Sequence, residues 1–134
     1  MELPERVRAF LEGPYHCVMA TVNGDGSPQL TTMWYDLVDD DLVVLNTTRG
    51  LLKERNLRRD PRMSICVSDG PRYVTLSGHA EFVEDRAVQE VEVAPLASRY
   101  LGRRLGEQRW QLISTSDRVG LRLHVTRWFA AGFD

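Results

Sequence analysis

The chain has 134 residues, 43% of them hydrophobic and 27% charged, with a formal net charge of −2. That length and balance predict one ordinary globular domain over residues 1–134 with a core of its own. They exclude a globally basic nucleic-acid binder, and no stretch approaches the ~18–20 apolar residues of a membrane-spanning helix.

In chain order, Leu3 to Leu11 predicts a short helix. Pro4 suits its first turn, Val7, Phe10 and Leu11 share a face, and Gly13-Pro14 stops it. HCVMATV alternates Val18, Ala20 and Val22 against Cys17, Met19 and Thr21, which is a strand. Asn23 to Gly26 reads as a hairpin turn. PQLTTMWYDLV reads as one second strand, with Leu30, Thr32 and Trp34 on one face and Gln29, Thr31, Met33 and Tyr35 on the other. Asp39 to Asp41 turns the chain into LVVLNTT, a third strand that is apolar on both faces until Asn46.

A basic helix follows and is stopped by Asp60-Pro61. RMSICVS points Met63, Ile65 and Val67 inward. After the Asp69-Gly70-Pro71 turn, RYVTLSGHAEFV alternates Val74, Leu76, Gly78, Ala80 and Phe82 against Tyr73, Thr75, Ser77, His79 and Glu81. Asp85 to about Leu101 has a helical pattern interrupted by Pro95. Residues 102–116, including Trp110, carry no assigned element or role. RVGLRLHVTRWF closes as a sixth strand, with Val119, Leu121, Leu123 and Val125 on one face. Six strands meandering through tight turns, with helices as inserts, predict a mainly β antiparallel barrel. No G-x-G-x-x-G or Walker loop is present.

The basic segment raises the functional question. From Arg49 to Arg62, six cations stand against Glu54 and Asp60, a local charge of +4 in a chain of −2. On a wheel at ~100° per residue counted from Arg49, Arg49, Lys53, Asn56 and Asp60 share a face flanked by Leu52 and Leu57. Glu54, Arg55 and Arg58 fall opposite. Arg49 and Lys53 are thus expected to point at the barrel, where a cation needs an anion. Asn46, Thr47 and Thr48 supply polar donors just before the helix, with Thr48 as its expected N-cap. The competing reading is a solvated charged face laced by a Glu54–Arg58 pair.

The remaining candidates have plain readings. Cys17 and Cys66 lie in strands, lack metal or redox spacing, and fit a reducing cytoplasm as packing residues. The N-terminus has no apolar run behind a basic start, so no signal peptide is expected there. His16, His79 and His124 share no local metal spacing, and no metal site is expected. By area alone Trp34 belongs in the core. The basic segment has no interleaved aromatics for nucleic acid.

ATVNGDGSPQLTTMWYDLVDDDLVVLNTT, then K-x-x-N-L-R-R-D-P and SGHAEFVED, resembles the pyridoxamine 5'-phosphate oxidase-like split β-barrel superfamily. The Lys53 to Pro61 run is most similar to its flavin/deazaflavin oxidoreductase branch, which uses coenzyme F420. The resemblance implies an FMN-binding-like split barrel of six strands and a homodimer with a flavin-type cofactor at the dimer interface. It implies that Thr31, Thr32, Met33 and Trp34 line the ring, and that Asn46, Thr47 and Thr48 meet the ribityl chain and phosphate. Lys53 would bind the phosphate, with Arg49 and Asn56 on its face of the helix. Tyr73, and Trp128 from the partner's last strand, would touch the ring from the other side.

FMN members often carry Arg-Lys at the phosphate; here Leu52 precedes Lys53, and Arg49 is the substitute one turn back. The implied activity is hydride transfer from the deazaflavin to a small conjugated or quinone-like organic acceptor. Tyr73 is a candidate proton donor, and Arg58, Arg59 and Arg62 are expected to meet the deazaflavin's anionic tail. The alternatives are an FMN-dependent reductase or oxidase on the same fold, or a non-catalytic binder of flavin, deazaflavin or haem, with His124 as the haem ligand.

Overall fold

Period-two alternation of apolar side chains builds one antiparallel sheet. The computed structural model describes residues 1–134. Its strands are β1 (Cys17–Val22), β2 (Pro28–Met33), β3 (Asp36–Asp39), β4 (Leu42–Thr48), β5 (Arg62–Asp69), β6 (Arg72–Val83) and β7 (Arg118–Ala131). They form a seven-stranded sheet in the order β2-β1-β5-β6-β7-β4-β3, with every pairing antiparallel.

The expectation of six strands fails at Trp34 and Tyr35. The run read as one strand breaks there into β2 and β3, which lie on opposite edges of the sheet. Tyr35 causes the break. Its side chain is fully buried and its hydroxyl donates to the Leu11 carbonyl at 2.8 Å, while its backbone N–H donates to the Tyr100 hydroxyl at 3.1 Å. Hydrogen bonds therefore do not close the sheet into a barrel. The chain closes it instead: three Cα steps separate Met33 from Asp36, so the two edges come within about 11 Å there.

Inside the curl lies a core of 20 buried residues. The helix α1 (Glu5–Leu11) contributes Val7, Phe10 and Leu11 to it, and α2 (Leu52–Arg59) contributes Leu57. Arg8 fixes α1 to the β3–β4 turn through Asp40 at 2.7 Å. Cys17 is fully buried in this core, and burial pushes its thiol up to about 12; Cys66 is shifted upward by the same cause. Neither is a nucleophile at neutral pH.

The expected helix from Asp85 is two helices, α3 (Arg86–Glu92) and α4 (Ala94–Leu101). Asp85 caps the first, accepting from the Ala87 N–H at 2.8 Å, and Pro95 opens the second rather than breaking it. A further helix, α5 (Arg103–Ile113), occupies the stretch that carried no assigned element. Gly106 obscured it, and its reason is packing: a Cβ there would stand 2.3 Å from the Ser98 Cα, so only glycine lets α5 lie this close to α4. A second small core of Val44, Val93, Leu96 and Trp110 forms where these helices cover β4.

β7 changes phase near its end. The register with β6 shifts between Ser77 and Gly78, leaving Thr126 as the extra residue of a bulge. A Cβ at Gly78 would stand 1.8 Å from the His124 carbonyl oxygen, so the bulge requires glycine opposite. Beyond it Trp128 packs against its own core, and Phe129 is the exposed residue, at 56%. This corrects the expectation that Trp128 faces outward.

Candidate cofactor site

A pocket of about 330 Å³ lies between the sheet and the three covering helices. Thr32, Met33 and Trp34 at the end of β2 form one wall, with Asn46 of β4 and Arg118 of β7 beside them. Val93, Leu96, Trp110 and Ile113 form an apolar wall opposite, and Arg109 and His16 complete the rim. Trp110 is held by its indole N–H, which donates to Glu90 at 2.8 Å. Trp34 stacks on Tyr100 with ring centroids 4.8 Å apart and an interplanar angle of 6°.

Electrostatics mark one end of the pocket. Arg118 donates from Nη1 to the Thr48 hydroxyl at 2.7 Å, but its Nε is buried with no partner. Asn46 Oδ1 is likewise buried and unpartnered. Burial lowers the pKa of Arg118, and the charge of Arg109 lowers it further. Burial also lowers that of Lys53, with Arg118 as the second cause. Arg118 thus stands between Lys53 and Arg109 in charge, and none of the three is paired to a carboxylate. These cations, beside orphaned polar atoms, leave positive charge that nothing in the chain compensates.

Of the expected ring wall, Thr32, Met33 and Trp34 reach the pocket. Thr31 does not: it lies two residues short of Met33 on the same face, and its hydroxyl accepts from Gln29 at 2.7 Å. Strand alternation also separates Asn46 and Thr48 from Thr47, which shares the core face of β4 with Val43 and Leu45 and is buried with its hydroxyl unpartnered. Thr48 is not the cap of α2; Leu51 is, without a side-chain bond.

Arg49 does not belong to the helix. Gly50, at φ +91°, ends the turn after β4, and α2 begins only at Leu52. Glu54, Asn56 and Leu57 are buried, while Leu51 and Leu52 are exposed. Asn56 is structural: it donates to the Thr21 hydroxyl at 3.1 Å and to Asn23 Oδ1 at 2.9 Å, tying α2 to the first hairpin. Arg49 faces outward and pairs with Glu84 at 2.7 Å and Asp117 at 2.9 Å.

The cations expected to meet an anionic tail are engaged inside the chain. Arg58 pairs with Glu54 at 2.7 Å and Glu84 at 2.8 Å, and Arg62 with Asp60 at 2.7 Å. Arg59 donates to the Val22 carbonyl. His124 is also engaged, its Nε2 lying 2.7 Å from Glu81. Tyr73 and Trp128 lie outside the pocket of their own chain, and Tyr73 sits near Phe129 at 6.0 Å.

Arg118 and Arg109, the cations that make the site, went unnoticed in the sequence. Arg118 stands alone ahead of an apolar strand, and Arg109 lies in the unassigned helix. Their only available signal was the absence of a neighbouring acid at i±4 on either side of Arg118, apart from Asp117, which Arg49 takes.

The chain matches the family described as pyridoxamine 5'-phosphate oxidase over residues 3–131. It belongs to that family. A conserved hypothetical protein of Mycobacterium tuberculosis, Rv2991, is 30% identical to this family member, with a TM-score of 0.83 over 99% of this chain and 87% of that one. A structure named F420 reductase is 26% identical, with a TM-score of 0.75 over 95% of this chain and 98% of that one. A putative 5-nitroimidazole antibiotic resistance protein of Bacteroides thetaiotaomicron shares the fold at 14% identity, with a TM-score of 0.78 over 97% of this chain and 84% of that one. No helix of this family member is long and apolar enough to cross a membrane.

Proposed function

We propose that the protein binds a deazaflavin of the coenzyme F420 type and reduces a small conjugated or quinone-like organic acceptor. The observation that carries this reading is the pair of buried, unpartnered groups in the pocket, Asn46 Oδ1 and Arg118 Nε, beside the uncompensated charge of Lys53. Arg118 and Lys53 ask for an anion, and Asn46 Oδ1 asks for a hydroxyl or N–H donor. A ribityl phosphate offers both kinds of group. The 26% identity to a protein named F420 reductase favours the deazaflavin over FMN, as does Leu52 where an FMN site would carry a second cation.

Each residue has a physical task. Arg118 and Lys53 hold the phosphate, and its charge returns the free energy lost in burying them. Arg109 extends the positive end toward solvent, where further carboxylates of a tail are met. Trp34, fixed by its stack on Tyr100, offers a flat wall to a tricyclic ring. The apolar wall from α4 and α5 excludes water from the reacting face. When bound, the reduced deazaflavin supplies the hydride, and the protein supplies position and electrostatics.

The functional unit is read as a homodimer. Thr32, Val18, Cys66, Thr75 and Phe129 run in register across the outer face of β2, β1, β5, β6 and β7. Val18, Leu30, Tyr73 and Phe129 are exposed there. Small side chains between them leave the face flat enough for a second copy. Tyr73 would reach a cofactor only across such an interface.

The test is titration of deazaflavin and FMN into the protein, followed by reoxidation of the reduced deazaflavin with a panel of quinones. Tighter binding of FMN would overturn the cofactor assignment. Tight deazaflavin binding without turnover of any acceptor would make the protein a carrier. A monomer mass in sedimentation at micromolar concentration would overturn the dimer.

A further inference from the structure

His16 sits at the rim of the pocket and has no role in holding an anion. Its Nε2 lies 3.1 Å from Trp34 Nε1. An indole N–H can only donate, so His16 Nε2 must be the accepting nitrogen and carry the lone pair. In neutral imidazole the proton then resides on Nδ1. A protonated ring has no lone pair left and would lose this bond. Trp34 cannot turn away to accommodate another tautomer, because it is stacked on Tyr100. Tyr100 is itself fixed: its hydroxyl lies 2.7 Å from the Tyr15 carbonyl and accepts from the Tyr35 N–H at 3.1 Å. The His16 ring is 5.9 Å from that of Tyr100 and completes the cluster.

We propose that His16 is a specificity-determining hydrogen-bond donor, its tautomer set by Trp34, that selects acceptors presenting a carbonyl oxygen. The chemistry follows from the free Nδ1–H. It favours a quinone or enone oxygen over an apolar ring of the same shape. As a donor it also stabilises the negative charge that grows on that oxygen as the adjacent carbon system accepts a hydride. Trp34 is the positioning residue, acting through His16. This rests on the reading that the pocket admits a hydride acceptor.

The experiment uses the cofactor-free full chain, so it does not depend on which cofactor binds. Long-range nitrogen–proton spectra at about pH 8, above the ordinary histidine range, report which ring nitrogen of His16 carries the proton. Nδ1 is expected. Duroquinone and its hydrocarbon analogue durene are then titrated into the wild type, His16→Asn and His16→Gln, following the Trp34 indole N–H resonance. The asparagine amide replaces Nδ1 as donor. The glutamine carbonyl replaces Nε2 as the acceptor for Trp34 and supplies nothing at Nδ1. Duroquinone should bind the wild type and His16→Asn alike, and His16→Gln about 2- to 10-fold more weakly, with durene indifferent to all three. A proton on Nε2, no preference for duroquinone over durene, or equal losses in both variants would overturn the proposal. If deazaflavin fails to bind while these results hold, the cofactor reading falls alone.

Discussion

Two groups of cations in this molecule behave in opposite ways. Around α2, Arg49, Arg58 and Arg62 are dense in sequence and each is bonded to carboxylates. Arg118 and Arg109 line the pocket, Lys53 lies close enough to feel Arg118, and these three cations come from distant segments and meet no carboxylate. A run of basic letters is therefore a poor guide to an anion site. What attracts a ligand is charge left uncompensated after folding, and the partners that compensate α2 come from Glu84 and Asp117, far along the chain.

The contrast can be broken by exchanging one cation from each group. Arg118→Met should weaken deazaflavin binding about 10- to 100-fold, the loss of a charge-assisted contact, and Lys53→Ala by a similar factor. The cofactor-free Arg118→Met protein should melt no lower than wild type, because a partly buried guanidinium with no carboxylate and an unpartnered Nε costs stability that its one bond to Thr48 does not offset. Arg58→Met should do the reverse. It strands the buried Glu54 and should lower stability by about 1–3 kcal/mol, with binding altered less than about twofold. Calorimetric melting and fluorescence titration on the same preparations read both effects. Like signs in both variants would erase the distinction between the two groups.

Proton linkage sharpens it further. Lys53 is depressed chiefly by burial and then by Arg118, so a bound phosphate should raise it again and draw a proton from solution. Affinity should be full below the free protein's Lys53 pKa and fall as pH rises through it. Isothermal calorimetry in buffers of different ionisation enthalpy should detect proton uptake at alkaline pH, and none in Lys53→Met.

On the α2 side the sign is opposite. Arg58 and then Arg49 hold Glu84 down to about 2. Its folded pKa lies below its unfolded one, so this stabilisation is present above the ordinary glutamate range and is lost as pH falls toward 2. Glu84→Gln should flatten the acid limb of a Tm-versus-pH curve and leave cofactor affinity unchanged. The smallest expected effect is that of Arg62→Ala. Its pair with Asp60 is exposed, and neither Tm nor affinity should move beyond error at 0.15 M salt.

The sheet was legible because strand alternation leaves a pattern in adjacent letters. Met63, Ile65 and Val67, and Val74 and Leu76, are buried as that pattern predicts. The break at Tyr35 was hidden, because it depends on Leu11 and Tyr100, residues remote in sequence. Thr32, Met33, Trp34 and Asn46, named through a family resemblance, line the pocket, while Lys53 lies outside its lining and is only partly buried. Arg109 was illegible because its helix contains Gly106, whose purpose is a close approach to Ser98 that no local pattern encodes. Arg49 was placed on the wheel although Gly50 ends the turn and α2 starts only at Leu52, so Arg49 has no position on it; Asn56 was hidden for another reason, since its partners Thr21 and Asn23 are remote in sequence.

The bulge at Thr126 makes β7 two rulers spliced half a unit out of step. Before the splice the odd-numbered residues Val119, Leu121, Leu123 and Val125 are buried; after it the even-numbered Trp128 and Ala130 turn inward. Which aromatic ring belongs to the molecule's inside and which to its outside is thus decided by a count rather than by composition. Deleting Thr126 alone would exchange Trp128 and Phe129 between the two faces. It would place an indole on the flat outer surface and turn Arg127, Ala130 and Ala131 over with it, with no residue substituted. Insertions and deletions at this point are therefore a means of re-facing the sheet that point substitution cannot imitate.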